Sequence, residues 1–194
     1  MHIGAMKDTL KKYLDDRRYM HSIEVMNLSM ELAEKYGADI HRAQVAGLLH
    51  DCAKCLSYDK MIEKSIEYNA DVDGLMLEGR VLLHGPVGER MARYIFEVDD
   101  FDVLMAIKYH STGRKDMTML DKIIYIADYI EPGRAFPGVD KVREMVYIDL
   151  DRAVLMAIDN TLAYILAEGK LIHPYTIDAR NGILQNLSMN AKNQ

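Results

Sequence analysis

Apolar residues recur along almost the whole chain at the three-and-four spacing of an amphipathic helix, and no segment sustains the alternation of a half-buried strand. Met6, Leu10, Tyr13 and Leu14 predict a first short helix that runs out at Asp15-Asp16-Arg17-Arg18. Ile23, Met26, Leu28, Met30 and Leu32 predict a second, opened by His21 and stopped at Tyr36-Gly37, which suits a left-handed terminus. Asp39 is placed to cap a third through Ala43, Ala46 and Leu49. Ser57 or Asp59 opens a fourth that reaches Tyr68. Asn69 to Gly79 reads as irregular, broken by Gly74 and Gly79.

Pro86 suits the first turn of a helix ending near Phe96, because its missing N–H costs nothing there. Asp99 or Asp100 opens the next, which ends near Tyr109-His110 before the loop residues Ser111-Thr112-Gly113. Thr118 starts an unusually apolar helix through Leu120, Ile123, Ile124, Ile126 and Ala127 to Ile130. Glu131 to Gly138 follows, rich in proline and glycine. Two further helices are predicted over about 139–147 and 150–167, the second closed by Gly169. His173 to Arg180 reads as a turn into a last short helix. The expectation is an all-α chain, one domain of roughly eight to ten helices, with no internal repeat and no coiled coil.

Composition narrows the function. The 194 residues suffice for one well-buried core, and 14 methionines with no tryptophan suit helices packed by flexible thioethers. A net charge of -6 speaks against a nucleic-acid partner, which needs clustered positive charge, although a bound metal can supply that charge locally to a phosphate. Met1 to Met6 shows no apolar leader, and no run of about 18 apolar residues follows, so the expectation is a cytoplasmic protein with no membrane partner. Cys52 and Cys55 form half of a zinc site with no second pair, and read as two reduced thiols.

The candidate chemistry lies in six positions: His21, the adjacent His50-Asp51, His84, His110 and Asp128. Each sits near a helix end or on an apolar stripe. Asp128, flanked by Ile126, Ala127 and Tyr129, is the clearest case, since a buried polar group without a partner costs about 1–3 kcal/mol and a charge more. A cation would satisfy it. Mixed imidazole and carboxylate ligands suit Fe, Mn or another divalent ion. His41, beside Arg42, reads as surface, and His2 is given no role.

The order His21, His50-Asp51, His84, His110, Asp128 resembles the H…HD…H…H…D signature of the HD-domain metal-dependent phosphohydrolases. Within that superfamily the chain is most similar to the YqeK family of symmetrical bis(5'-nucleosyl)-tetraphosphatases. The likeness rests on Arg18-Tyr19-Met20-His21-Ser22, Gly47-Leu48-Leu49-His50-Asp51-Cys52-Ala53-Lys54, Leu83-His84-Gly85-Pro86-Val87-Gly88, Lys108-Tyr109-His110-Ser111-Thr112-Gly113 and Asp121 to Pro132. His173-Pro174-Tyr175-Thr176 with Arg180 looks like the family's C-terminal signature.

The resemblance implies a single HD domain over 1–194, with a metal-binding core at about 15–135 and C-terminal helices at about 139–190 completing a nucleotide pocket. It implies one or two iron ions, the first held by His21, His50, Asp51 and Asp128, with Asp51 suited to bridge to a second. Asp51, His84 and His110 are the expected catalytic residues. His21, Lys54, His84, His110, Ser111, Asp128, Arg134, His173, Pro174, Tyr175, Thr176 and Arg180 are the expected substrate contacts. The implied reaction takes diadenosine tetraphosphate (Ap4A) and water to two ADP, or the guanosine analogue to GDP. A phosphoanhydride already has a good leaving group, so the need is charge neutralisation and an acidified water, which a divalent metal provides. Rival readings are an HD-type nucleotidase or guanosine-tetraphosphate hydrolase, and a non-catalytic nucleotide-binding regulator. The Met, Leu, Ile and Tyr residues between Asp140 and Gly169 could serve a homodimer interface as readily as the core.

Overall fold

A computed structural model describes residues 1–192, with side chains to Met189. Among the described residues there are eleven α-helices and no strands. They are α1 (Ile3–Leu10), α2 (Asp16–Tyr36), α3 (Ile40–Leu49), α4 (Tyr58–Glu67), α5 (Gly74–Gly79), α6 (His84–Tyr94), α7 (Phe101–Tyr109), α8 (Met119–Ile130), α9 (Val139–Met145), α10 (Leu150–Ala167) and α11 (Pro174–Lys192).

Short polar side chains start most of these helices. Asp15, Asp39, Ser57, Asp73 and Asp149 each accept a hydrogen bond from the backbone N–H three residues on. Thr118 and Asp121 form a reciprocal capping box on α8. Two caps correct the sequence reading. Asp15 starts α2, so Asp16-Arg17-Arg18 is its first turn rather than a break, and His21 lies in the second turn instead of opening the helix. Asp73 likewise nucleates α5 inside the stretch expected to be irregular, which takes the count past ten. The last helix is also long rather than short: Pro174 occupies its first turn, where proline is tolerated, and it runs for 19 residues.

The core is built mainly from α2, α3, α7 and α8, which pack on one another, with α6 against α7 and α10 against α8, α9 and α11. Val25, Leu32, Leu48, Leu49, Leu104, Ile107, Ile123, Ile124 and Ile126 are all buried. Each contributes about 1.5–3 kcal/mol of transfer free energy. In the C-terminal part Val142, Val154, Ala157 and Ile158 are buried in this core, whereas Tyr147, Ile148, Tyr164 and Leu166 are exposed. No described helix is long and apolar enough to cross a membrane.

Helix ends from this frame converge on one point. His50 is the C-cap of α3 and His110 that of α7, while His84 is the first residue of α6. Two glycines set the spacing. A Cβ on Gly47 would lie 2.9 Å from the Met26 Cα, so α2 and α3 meet backbone to backbone beneath His21 and His50. A Cβ on Gly85 would lie 2.5 Å from the Lys108 carbonyl oxygen, which brings α6 against α7 beneath His84 and His110.

Candidate metal and phosphate site

Six polar side chains meet at one point in the interior. His50, Asp51, His84 and His110 are buried, and His21 and Asp128 are half-buried. The ligating atoms of His21, His50 and Asp51 lie within 4.8 Å of one another, and the same holds for Asp51, His84 and His110 and for His50, His110 and Asp128.

The ring orientations follow from local backbone geometry. His50 Nδ1 sits 2.8 Å from the Gly47 carbonyl, His84 Nδ1 2.5 Å from that of Val81, and His110 Nδ1 2.7 Å from that of Ile107. A carbonyl only accepts, so Nδ1 carries the proton in all three rings and the Nε2 lone pair faces the cluster. His50 Nε2 is 3.1 Å from His21 Nε2, and His84 Nε2 is 3.0 Å from His110 Nε2. This presentation, with the far nitrogen held by a carbonyl and the near one turned inward as an acceptor, is that of metal-binding histidines.

Asp51 divides its two oxygens between two sets of imidazoles. Oδ1 lies 3.3 Å from His84 Nε2 and 3.4 Å from His110 Nε2. Oδ2 lies 3.9 Å from His50 Nε2 and 4.0 Å from His21 Nε2. Asp128 Oδ1 completes the second set at 3.1 Å from His21 Nε2. Asp51 Oδ1 is buried and has no hydrogen-bond donor, a costly condition that a cation between the carboxylate and the imidazoles would remove. The donor set therefore fits one or two divalent ions.

The charges agree with this. Burial pushes the His50 and His84 rings down to about 4, with Lys54 adding to the effect at His84, so both are neutral near pH 7. Burial alone would raise Asp51, but the surrounding imidazoles, His50 foremost, hold it well below the usual carboxylate range. Burial would raise Asp128 too, and the His21 hydrogen bond outweighs it together with His50 and Arg134. His21 runs the other way: burial lowers it, yet the adjacent Asp128 carboxylate raises it overall.

Cationic and hydroxyl groups border the cluster. Lys54 Nζ is 2.9 Å from His84 Nε2 and 3.7 Å from Asp51 Oδ1. Ser111 Oγ is 3.1 Å from His84 Nε2 and 3.0 Å from His110 Nε2. Arg134 donates through Nε to the Asp128 carbonyl at 2.9 Å and through Nη2 to its carboxylate. Two cavities open beside the cluster. One, of about 210 Å³, is lined by His110, Ser111, Asp128 and Arg134 with the rings of Tyr125, Tyr129 and Phe136. The other, of about 240 Å³, is lined by Lys54 and His84 with Tyr58, Met61, Arg80 and Val81. A further cavity of about 460 Å³, at Glu24, Glu31 and Arg143, shares no lining residue with the cluster.

The C-terminal group lies one step out. His173 is buried and 2.8 Å from Asp73 Oδ2, and Tyr175 packs edge-on against Tyr109 with ring centroids 5.3 Å apart. Thr176 is buried, and Arg180 pairs with Asp159 of α10. None of His173, Pro174, Tyr175, Thr176 and Arg180 lines either cavity beside the cluster. Cys52 is buried with its thiol donating toward the Gly88 carbonyl, while Cys55 is exposed, and both are free.

Two residues at the cluster escaped the sequence reading. Glu131 is buried and its Oε1 lies 3.2 Å from His21 Nδ1, giving the fourth imidazole a carboxylate in place of a backbone carbonyl. Its signal was the spacing from Asp128, three residues and nearly one helical turn. Arg18 stands 3.6 Å from Asp51 Oδ2, one turn before His21.

Known proteins share this arrangement of chain. The HD domain family model matches residues 18–133. The symmetrical bis(5'-nucleosyl)-tetraphosphatase of Halalkalibacterium halodurans is 39% identical over 184 residues, covering 95% of this chain and 98% of that protein. The Bacillus subtilis protein of the same name is 40% identical over 90% of this chain and 94% of its own length. A crystal structure of a predicted HD superfamily hydrolase involved in NAD metabolism, from Clostridium acetobutylicum, superposes with a TM-score of 0.92 at 42% identity, over 96% of this chain and 98% of that one. The chain belongs to the HD-domain family and, within it, to the group of the symmetrical bis(5'-nucleosyl)-tetraphosphatases.

Proposed function

We propose that this protein hydrolyses diadenosine tetraphosphate, or a close dinucleoside tetraphosphate, at the middle of its phosphate chain to give two nucleoside diphosphates. The observation that carries the reading is the split of the Asp51 carboxylate between two imidazole sets, with Oδ1 buried and without a hydrogen-bond donor. The names of the relatives supply the substrate class.

In this reading His21, His50, Asp51 and Asp128 hold the first divalent ion, and Asp51 with His84 and His110 faces a second ion or the phosphate itself. Iron is the metal we propose, supported by the mixed imidazole and carboxylate donors, a set that also suits manganese. A bound cation supplies Lewis acidity and positive charge at the phosphate chain. The remaining work falls to side chains. Lys54 and Arg134 donate charge-assisted hydrogen bonds to phosphoryl oxygens, with Arg134 turning from Asp128 to do so. Ser111 donates a hydroxyl beside them. His84, whose ring is neutral near pH 7, and His110 orient the attacking water in line with the leaving ADP.

His173, Pro174, Tyr175, Thr176 and Arg180 contact base and ribose from the rim. Support comes from the packing of Tyr175 on Tyr109, the neighbour of His110 in sequence. The exposed Tyr147, Ile148, Tyr164 and Leu166 support a homodimer, which light scattering tests.

The decisive variant is Asp51→Ala. It should abolish both metal loading, read by elemental analysis of protein purified without added metal, and hydrolysis, read by chromatography across a nucleotide panel, while far-UV circular dichroism stays at the wild-type level. Two identical nucleoside diphosphates from the wild type identify the symmetrical cut. Full activity in metal-free Asp51→Ala protein overturns the scheme, as does a wild type that spares the tetraphosphate and cleaves only mononucleotides.

A further inference from the structure

We infer that the cavity of Tyr58, Arg80 and Lys54 is a second nucleoside subsite, which takes the ADP half of the substrate not seated on the Asp128 and Arg134 side. The inference rests on the proposed symmetrical cleavage, because a substrate with two nucleosides cut in the middle needs one on each side of the reacting phosphates.

The two cavities beside the cluster share no lining residue, yet each opens on a different part of it. One reaches Asp128, His110 and Ser111; the other reaches His84 and Lys54, the groups around Asp51 Oδ1. At about 210 and 240 Å³, each is smaller than the roughly 300–1,000 Å³ of a pocket that encloses a whole drug-sized ligand. Neither can take the full dinucleotide alone. Their chemistry is parallel: the first combines the rings of Tyr125, Tyr129 and Phe136 with the Arg134 guanidinium, the second the ring of Tyr58 with that of Arg80.

The second cavity is built for a ring and a phosphate chain. Lys54 stands at its inner end, and no carboxylate lines it. The Arg80 guanidinium lies 4.6 Å from the Tyr58 ring centroid, a stacked pair that presents flat cationic and aromatic surface to a base. Tyr58 Oη donates to the Leu77 carbonyl at 3.2 Å, which ties α4 to α5 and fixes the ring. Arg80 also has φ +52° and ψ -42°, a backbone conformation that non-glycine residues avoid, at the centre of a tight turn closed by the Val81 N–H on the Gly79 carbonyl. That turn carries Arg80 over Tyr58 and aims the Val81 carbonyl at His84 Nδ1, so one strained turn serves both the cavity wall and the cluster.

The test counts bound ADP on the metal-loaded protein by isothermal titration. Wild type should bind two ADP per chain. A Tyr58→Ala, Arg80→Gly double variant should bind one, and its KM for diadenosine tetraphosphate should rise about tenfold or more, the order expected for a lost stacking face, with kcat changed much less. Glycine at position 80 suits the positive φ, and matching circular dichroism and Tm confirm that the fold is kept. Tyr58→Phe, which keeps the ring, should retain two ADP. A wild type that binds one ADP per chain, or a double variant that binds two with unchanged KM, overturns the inference. Because the ADP count does not depend on turnover, a wild type that binds two ADP but spares the tetraphosphate overturns the proposed function separately.

Discussion

Gly85 lies so close to Lys108 that a Cβ added to it would come within 2.5 Å of the Lys108 carbonyl oxygen. The contact sits directly below His84 and His110, whose Nε2 atoms are 3.0 Å apart. A Gly85→Ala variant must push α6 off α7, since backbone cannot yield as a flexible side chain would. Overpacking of this kind costs about 1–3 kcal/mol, so Tm should fall by several degrees. A displacement of even 1 Å at the cluster should lower kcat/KM by about tenfold to a hundredfold. Thermal melts and steady-state kinetics check both; unchanged kinetics would show that this spacing is not critical.

Glu131 should tune metal affinity through His21 without touching the metal. Its carboxylate holds His21 Nδ1 at 3.2 Å and so keeps Nε2 turned toward the cluster. Loss of such a partner typically weakens a metal about 10- to 100-fold. Competition titration against a chelator should place Glu131→Ala in that range, with Glu131→Gln, which keeps an acceptor oxygen, closer to wild type.

In the metal-stripped protein His50 and His84 should titrate apart from His21. Ring proton NMR should place His50 and His84 near pH 4 and His21 above its ordinary 6.5. The sign for stability follows. Between about pH 6.5 and 4 the unfolded chain binds protons at His50 and His84 that the folded chain refuses, so these two rings cost stability as pH falls through that window. Asp51 and Asp128, both held low, add a further loss below about 3.8, where the unfolded carboxylates protonate first. His21 opposes them, its contribution complete below about 6.5 and lost as pH rises through its raised pKa. Midpoints of His50 and His84 near 6.5 would contradict the burial of the cluster.

Chelation should destabilise the protein as well as inactivate it. A cation that binds only the folded state adds about 2.7 kcal/mol when present at a hundred times its Kd, which for a chain of this size corresponds to roughly 5–10 °C in Tm. Scanning calorimetry with and without a chelator measures this, and the shift should vanish in Asp51→Ala. An equal shift in that variant would place the bound metal elsewhere.

How much was legible in the chain differs from helix to helix. The caps Asp39 and Thr118 stand where the pattern put them, and Ser57 and Asp100 are the ones used of the pairs Ser57 or Asp59 and Asp99 or Asp100, because a capping bond reaches only three residues and is a local property. The same locality makes the misreadings instructive. Asp15 and Asp73 are equally good caps, yet the polar run after Asp15 and the glycines after Asp73 read as breaks. α2 forms because its apolar face finds the core through Val25, Met26 and Leu32, whereas α5 buries the single side chain of Met76 outside that core and relies on its cap.

The all-helical class, the positions of most helix starts, and the six side chains of the cluster in their order can be read directly from the chain. These depend on periodicity, on capping chemistry and on motif, all of which are written locally. Which oxygen of Asp51 faces which imidazoles, the hold of Glu131 on His21, and the second cavity at Tyr58 and Arg80 emerge from the packing of the helices alone. The reason is physical: those relationships are set by the approach of α2 to α3 at Gly47 and of α6 to α7 at Gly85, contacts between residues about 20 positions apart whose distances no local pattern encodes.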